Sequence, residues 1–250
     1  MDSQQPKKFK ILLIGDDCND VYEYGTIDRI SPEAPVPVFK FSHREERRGM
    51  AGNVCNNLIS LGCIVTYAHK TSSVKTRLID IKSKQHIVRI DADDHSDPIE
   101  FGELTLDGYD AVVISDYNKG AVSYELVEQL RNATTIPIFV DSKKSDLFRF
   151  DGCFVKINNL EYSLAKTFPS ELIVTMSGDG VRYKDIVYPT SKIEVVDVTG
   201  AGDTFLSALC YKYLNTNDMS DAIEFAVRAS TITVQHNGVY APTLEEIQCV

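Results

Sequence analysis

Short apolar runs that end at a glycine or a polar turn recur along this chain, and stretches of helical spacing follow most of them. Lys10 to Gly15 (KILLIG) is the first, with the continuous hydrophobicity of a strand buried on both faces. Ala111 to Ser115 (AVVIS), Ile136 to Val140 (IPIFV), Phe154 to Ile157 and Leu172 to Thr175 repeat it, and Ser191 to Val196 adds a β-branched run. Helical spacing fills Met50 to Leu61, closed by Gly62 as a C′ glycine, then Tyr124 to Leu130, Phe205 to Tyr213 and Asp218 to Val234. In the last of these, Ala222, Ile223, Ala226, Val227, Ala229 and Ile232 make the stripe to be buried. Strands alternating with helices predict βαβ units, hence a three-layer α/β/α domain whose mostly parallel sheet gathers functional groups at its strand C-terminal ends. Two segments break the alternation. Pro35 to Phe41 (PVPVFKF), and Thr76 to Ile81 joined by a polar turn to Gln85 to Asp91, read as extra strands. They predict a small projecting sheet, a lid with strands at about residues 35–41 and 76–91, inserted in one domain over 1–250.

Charge narrows the partners. A formal net charge of −10 argues against nucleic acid or an acidic membrane as the main partner. An anionic substrate therefore needs local positive groups, for which Arg44, Arg47, Arg48, Lys143 and Lys144 are candidates, although such clusters are usually solvated loops. No apolar run is long enough to span a bilayer, and the polar start MDSQQPKKFK holds no signal-peptide core, so a cytoplasmic location is expected. Six cysteines are scattered without C-x-x-C spacing, and several sit in apolar segments, as reduced core residues do.

The candidate chemistry centres on Val196 to Phe205, VDVTGAGDTF. Gly200 and Gly202 fall at a strand-to-helix turn, where the first backbone N–H groups of a helix lack intrahelical partners and favour an anion. Asp203 follows at once. A carboxylate there repels a phosphate but is well placed to take a proton from a hydroxyl that attacks one. Glycine and aspartate also crowd ordinary helix N-termini, so the pattern GxGD alone is not decisive. At the end of the first strand, Asp16 and Asp20 are acceptors suited to sugar hydroxyls, a role that competes with plain helix capping.

The full string D-x-T-G-A-G-D-T, between an apolar strand and an apolar helix, resembles the ribokinase-like (PfkB) carbohydrate kinases. Tyr22 to Val38, with RISPEAPVPV at its end, is similar to one subgroup, the D-glycero-β-D-manno-heptose 7-phosphate kinases, which also form the N-terminal half of bifunctional ADP-heptose synthases. Glu45-Glu46-Arg47, Ser115 to Gly120 (SDYNKG) and Gln85 to Asp91 echo the same subgroup. The resemblance implies a ribokinase-like fold and an ATP- and Mg²⁺-dependent kinase. It implies Asp203 as base and the N–H groups of Gly200, Ala201 and Gly202 as the anion hole. Asp16, Asp20 and Asn53 would bind sugar hydroxyls, and Arg29 and Lys119 the sugar phosphate. Asn158 and Glu161, in KINNLE, would help hold Mg²⁺, with Asn159 the alternative alignment and helix capping the plainer use of both residues. Thr175, Ser177, Gly178 and Gly180 would lie on the nucleotide side. Some relatives bind a monovalent cation near the glycine turn, where Asp197 is the neighbour in this chain.

Two departures bear on the substrate. The family's di-glycine at the first helix is Gly49-Met50 in this chain, with Gly52 where alanine is usual, so a side chain enters where backbone normally approaches the sugar. Between Ala68 and Ser73 the chain lacks a G-x-D-x-x-G element and its following helix, and a later nucleotidyltransferase step is expected to need another protein. Phosphorylation of the anomeric hydroxyl of the heptose 7-phosphate, towards a lipopolysaccharide precursor, is the leading expectation. A PfkB-type kinase of another sugar and a non-catalytic sugar-phosphate or nucleotide binder are the alternatives. The projecting strands carry apolar residues on both faces, which predicts a homodimer through the lid.

Overall fold

A computed structural model describes residues 8–249 of the chain. In chain order the strands and helices begin with β1 (Lys10–Gly15), β2 (Asp17–Ile30), β3 (Pro37–Met50), α1 (Ala51–Ser60), β4 (Ile64–Ala68), β5 (Ser72–Asp80) and β6 (His86–Ala92). They continue with β7 (Ala111–Asp116), α2 (Tyr124–Ala133), β8 (Ile138–Ser142), β9 (Phe154–Asn158), α3 (Asn159–Leu164) and β10 (Leu172–Thr175). The last are β11 (Val181–Tyr183), β12 (Ile186–Tyr188), α4 (Ala201–Thr216), α5 (Met219–Thr233) and α6 (Leu244–Gln248). The main sheet has eight strands in the order β12-β11-β10-β9-β8-β7-β1-β4, parallel from β10 to β4 and antiparallel at the β10-β11-β12 end. This is the mostly parallel α/β arrangement expected from the strand–helix alternation.

Each face of the main sheet has its own core. Ile11, Leu13, Val113, Phe139 and Ile173 pack with α1, α4 and α5, while Leu12, Ile14, Val112, Val140 and Ile157 pack with α2. Alternate residues of one strand thus serve opposite layers, which is why these strands read as unbroken apolar runs. The helix ends obey local chemistry. Ser123, Asp218 and Thr243 cap α2, α5 and α6 by accepting backbone N–H bonds, and Gly62 ends α1 at φ 84°. Five cysteines are buried and Cys249 is exposed; all six are free thiols. Among the described residues no helix is long and apolar enough to cross a membrane.

The second sheet has four strands in the order β3-β2-β5-β6. Expected lid strands at about 35–41 and 76–91 therefore need correction, because β3 runs on to Met50 and β2 occupies Asp17–Ile30. The reason is register: Asp17↔Met50 through Glu23↔Arg44 pair continuously, so polar residues join the ladder through backbone pairing without an apolar alternation to announce it. A three-residue link, 69–71, joins β4 directly to β5, where a helix was expected to be missing. The strand expected over Ser191 to Val196 does not form. Its β-branched residues find no sheet edge to pair with, and Val195 and Val196 lie exposed, the N–H of Val196 donating to the Val234 carbonyl at 2.8 Å.

Phe139, fully buried on β8, lies 5.2 Å from the Phe154 ring and 5.6 Å from that of Tyr213. Phe139→Ala is expected to cost about 3–5 kcal/mol, read as a lowered denaturant midpoint with an unchanged slope.

Candidate active site

The C-terminal ends of β1, β7, β8 and β9 and the N-termini of α1 and α4 converge on Asp203. This residue opens α4 and is 6% exposed. Asn53 Nδ2 donates to its Oδ2 at 2.7 Å, and the Tyr117 hydroxyl donates to its Oδ1 at 3.2 Å. Burial pushes the Asp203 carboxyl up to about 6; the Asn53 and Tyr117 bonds and Lys156 oppose the rise, and Asp141 adds to it. A carboxylate that titrates there is ionised at neutral pH yet basic enough to accept a proton.

The glycines of the motif have steric reasons. Gly200 is at φ 80°, and a Cβ on it would lie 2.8 Å from Asn53 Nδ2. A Cβ on Gly202 would lie 2.9 Å from Lys156 Nζ, which is itself bonded to Asp141 Oδ2 at 2.7 Å. The bare turn thus admits an amide beneath one glycine and an ammonium beneath the other. Of the three expected anion-hole donors, Ala201 N–H already reaches the Val198 carbonyl at 3.2 Å.

Behind Asp203 runs a buried polar column between α1, α4 and α5. Asn57 donates to the Asn53 carbonyl at 2.9 Å, Thr204 to Asn57 Oδ1 at 2.8 Å, and Thr233 to the Thr204 hydroxyl at 3.0 Å. Among the described residues no buried side-chain polar atom lacks a partner. That satisfaction fixes Asn53, and through it the Asp203 carboxylate.

Other expected site residues are placed as follows. Asp16 is buried and accepts the N–H groups of Tyr117 at 2.8 Å, Lys119 at 3.1 Å and Ala121 at 3.0 Å, which shapes the loop after β7. Asp20 is paired with Arg77 at 2.5 Å. Lys119 joins the loop, but its ammonium is bonded to Asp94. Arg29 is not brought to the cluster; it lies exposed near the far end of β2, about 30 Å of strand beyond Asp20. Asn158 and Glu161 cap α3 reciprocally, each side chain accepting the other's N–H at 2.8 Å, and Lys143 bonds Glu161 Oε1 at 2.9 Å. Thr175 ends β10, Ser177 stands at φ 54°, and Gly178 is open. Gly180 stands at φ 94°, where a Cβ would meet the Tyr188 carbonyl. Asp197 accepts Thr199 and Gly238 N–H bonds at 2.9 Å each; these outweigh its burial and lower its carboxyl.

Sequence reading missed Tyr117, Asp141, Lys156, Asn57 and Arg77. Tyr117 and Lys156 lay within noted motifs, SDYNKG and KINNLE, without a role of their own; the others carry no local signal, because each acts through a partner distant in sequence. Met50 is buried at φ 50° and ψ −132°, a conformation that costs a side-chain-bearing residue on the order of 1–3 kcal/mol.

Residues 144–247 match the pfkB family carbohydrate kinase profile. That match covers less than half of the chain. Among curated proteins, the bifunctional protein HldE of a Nitratiruptor species is 32% identical, over 96% of this chain and 64% of that protein. HldE of a Helicobacter pylori strain is 31% identical over 96% of this chain and 66% of its own length. The chain thus spans slightly less than two thirds of these relatives. The first alignment runs over 301 positions, more than the 250 residues present, so the relative has internal residues that this chain lacks. Ribokinase from Thermotoga maritima superposes with a TM-score of 0.71 at 15% identity, covering 96% and 98% of the two chains. Escherichia coli phosphofructokinase-2, in complex with potassium, gives 0.74 at 17% identity and 98% coverage of both. These likenesses show the ribokinase-like fold.

Because its folded value is raised from 3.8 to about 6, Asp203 stabilises the fold only while protonated, and that contribution is lost as pH rises through about 6. Relative to the wild type, Asp203→Asn is expected to gain about 2 kcal/mol of unfolding free energy between pH 4 and pH 8. Parallel urea titrations across that range check the sign and size.

Proposed function

We propose that this PfkB-family domain is an ATP- and Mg²⁺-dependent kinase that phosphorylates the anomeric hydroxyl of D-glycero-β-D-manno-heptose 7-phosphate, towards an ADP-heptose precursor of lipopolysaccharide. The observation that carries this reading is the buried Asp203 carboxylate at the glycine turn of α4, held by Asn53 and Tyr117. The HldE relatives and the RISPEAPVPV segment support the choice of sugar.

In this reading Asp16, Asp20 and Asn53 orient the sugar, and its hydroxyl donates a proton to Asp203. A bond forms from that oxygen to the γ-phosphorus as the bond to the β–γ bridging oxygen breaks, the in-line geometry of phosphoryl transfer. The N–H groups of Gly200 and Gly202, with Lys156 beneath Gly202, would receive the transferring group, whereas the Ala201 N–H is held by the Val198 carbonyl. Thr175, Ser177, Gly178 and Gly180 border the nucleotide. Glu161, Asn158 and Asp141 supply oxygen donors alone, and Glu161 is engaged by Lys143 and by the cap of α3, which fits a hydrated hard cation held through water. Mg²⁺ there would neutralise charge on the ATP phosphates. Asp197, turned towards Gly238 at the same loop, is the candidate neighbour of a monovalent cation.

Met50 favours a second reading, a kinase of another sugar, since a buried side chain stands at the family's second glycine. A panel of sugars and sugar phosphates separates the two by which one drives ADP formation.

Asp203→Asn is expected to lower kcat about 10³-fold with ATP affinity within about threefold of wild type. Full turnover in that variant contradicts the base assignment. The base must be ionised, so wild-type kcat/KM is expected to fall as pH drops through about 6. A pH-independent profile from 5 to 8 contradicts it. The lid leaves Phe41 at 56%, Val88 at 44% and Ile90 at 52% exposure, which supports pairing with a second copy. Light scattering is expected to give the mass of a dimer; a monomer at working concentration contradicts this part of the proposal.

A further inference from the structure

Three lysines reach the strand ends around Asp203, and two of them are locked. Lys156, its side chain 4% exposed, is bonded to Asp141 Oδ2 at 2.7 Å. Lys144 donates to the fully buried Asp116 carboxylate at 2.6 Å and to the Val122 carbonyl at 2.8 Å. Lys143, the residue after β8, differs from both. Its side chain is 42% exposed, and among the described residues its ammonium bonds one group, Glu161 Oε1, at 2.9 Å. The backbone beneath it is fixed, because the Lys143 N–H donates to the Asp116 carbonyl at 3.0 Å. Only the side chain is free to turn.

Glu161 is divided between two partners. Its Oε2 accepts the Asn158 N–H at 2.8 Å and closes the cap of α3, so that oxygen is committed to the fold. Oε1 faces Lys143. A divalent cation drawn to Glu161 must therefore come to Oε1, and an ammonium and a divalent ion repel each other too strongly at such separations to share one oxygen. Displaced, the ammonium is not stranded. It already stands 4.6 Å from the centre of the Tyr117 ring, whose hydroxyl donates to Asp203 at 3.2 Å. Burial works to lower the Lys143 ammonium, yet the Glu161 bond and the charges of Glu161, Asp141 and Asp203 lift it above the usual lysine value, so it is charged at neutral pH.

We propose that Lys143 is an exchangeable cation: it neutralises Glu161 until a divalent ion arrives, then cedes Oε1 and turns over the Tyr117 ring to the polyphosphate that the ion accompanies. The inference rests on the kinase reading of this site and assigns it a further nucleotide-contacting residue. Charge supplies the reason. Three carboxylates, Asp141, Glu161 and Asp203, stand against Lys143 and Lys156 and keep a negative charge in excess, which attracts a metal ion and repels a bare nucleotide polyanion. Once Lys143 has left Glu161, its ammonium meets phosphate oxygens as a point charge, the manner in which lysine binds phosphate. Metal and nucleotide are thereby coupled through one side chain.

Binding to the full chain without sugar, and so without transfer, tests the exchange. Lys143→Met keeps most of the length of the side chain over Tyr117 while removing its charge, and thermal melts establish that it folds. In electron paramagnetic resonance titrations without nucleotide, Lys143→Met is expected to bind Mn²⁺ about 3- to 30-fold tighter than the wild type, a gain that adding Glu161→Gln to the same chain abolishes. At saturating Mg²⁺, calorimetry with the non-hydrolysable ATP analogue AMP-PNP is expected to show the reverse, an affinity about 10- to 100-fold lower in Lys143→Met. A lysine that only supports the fold weakens both ligands together or neither. Mn²⁺ binding that is unchanged or weaker in Lys143→Met, or a gain that survives Glu161→Gln, overturns the exchange. Equal AMP-PNP affinity in the two proteins overturns the passage of Lys143 to phosphate. A wild type that binds Mn²⁺ but no AMP-PNP overturns the kinase reading, and the Mn²⁺ titrations then decide the exchange alone.

Discussion

The bond from Asn53 Nδ2 to Asp203 Oδ2 joins residues 150 positions apart and ties the N-terminus of α1 to that of α4. Both helices cover the same face of the sheet, so this contact sits where the two layers above β1 and β7 meet. Neither partner tolerates burial alone: an unpaired amide costs about 1–3 kcal/mol and an unpaired carboxylate more. The column through Asn57, Thr204 and Thr233 extends the same pairing into the core, each group satisfied by the next. Rigid support of this kind lets a carboxylate keep one orientation at a glycine turn, and the chemistry proposed for Asp203 depends on it.

Much of this architecture can be read in the chain before any coordinates. Buried parallel strands announce themselves as KILLIG and AVVIS because both faces are covered, and α1, α4 and α5 follow from their apolar spacing and caps. The base and its glycines are local in sequence, so VDVTGAGDTF exposes them together. What escapes is whatever depends on pairing at a distance. Asp141 and Lys156 form their ion pair across neighbouring strands, and Arg77 meets Asp20 only through the β2–β5 register. β2 is the plainest case: its polar residues carry no alternation of hydrophobicity, and backbone ladders with β3 and β5 hold it extended. Conversely, Ser191 to Val196 has the residues of a strand but no edge to join.

Met50, at the N-terminus of α1, and the direct passage from β4 to β5 border the lid sheet, whereas the turn before α4 keeps both glycines in positions a Cβ would not permit. The buried carboxylate and the lid charges are thus built from different elements: the N-terminus of α4 carries Asp203, and the lid sheet carries paired cations and carboxylates. The alignment to HldE spans more positions than this chain has residues.

The most direct test follows phosphorus. With Mg²⁺, ATP and D-glycero-β-D-manno-heptose 7-phosphate, phosphorus NMR of the purified chain is expected to show a second sugar phosphate, coupled to the anomeric proton, appearing as fast as ADP. ADP formation that is independent of the sugar, or no anomeric phosphate at any enzyme concentration, would contradict the account.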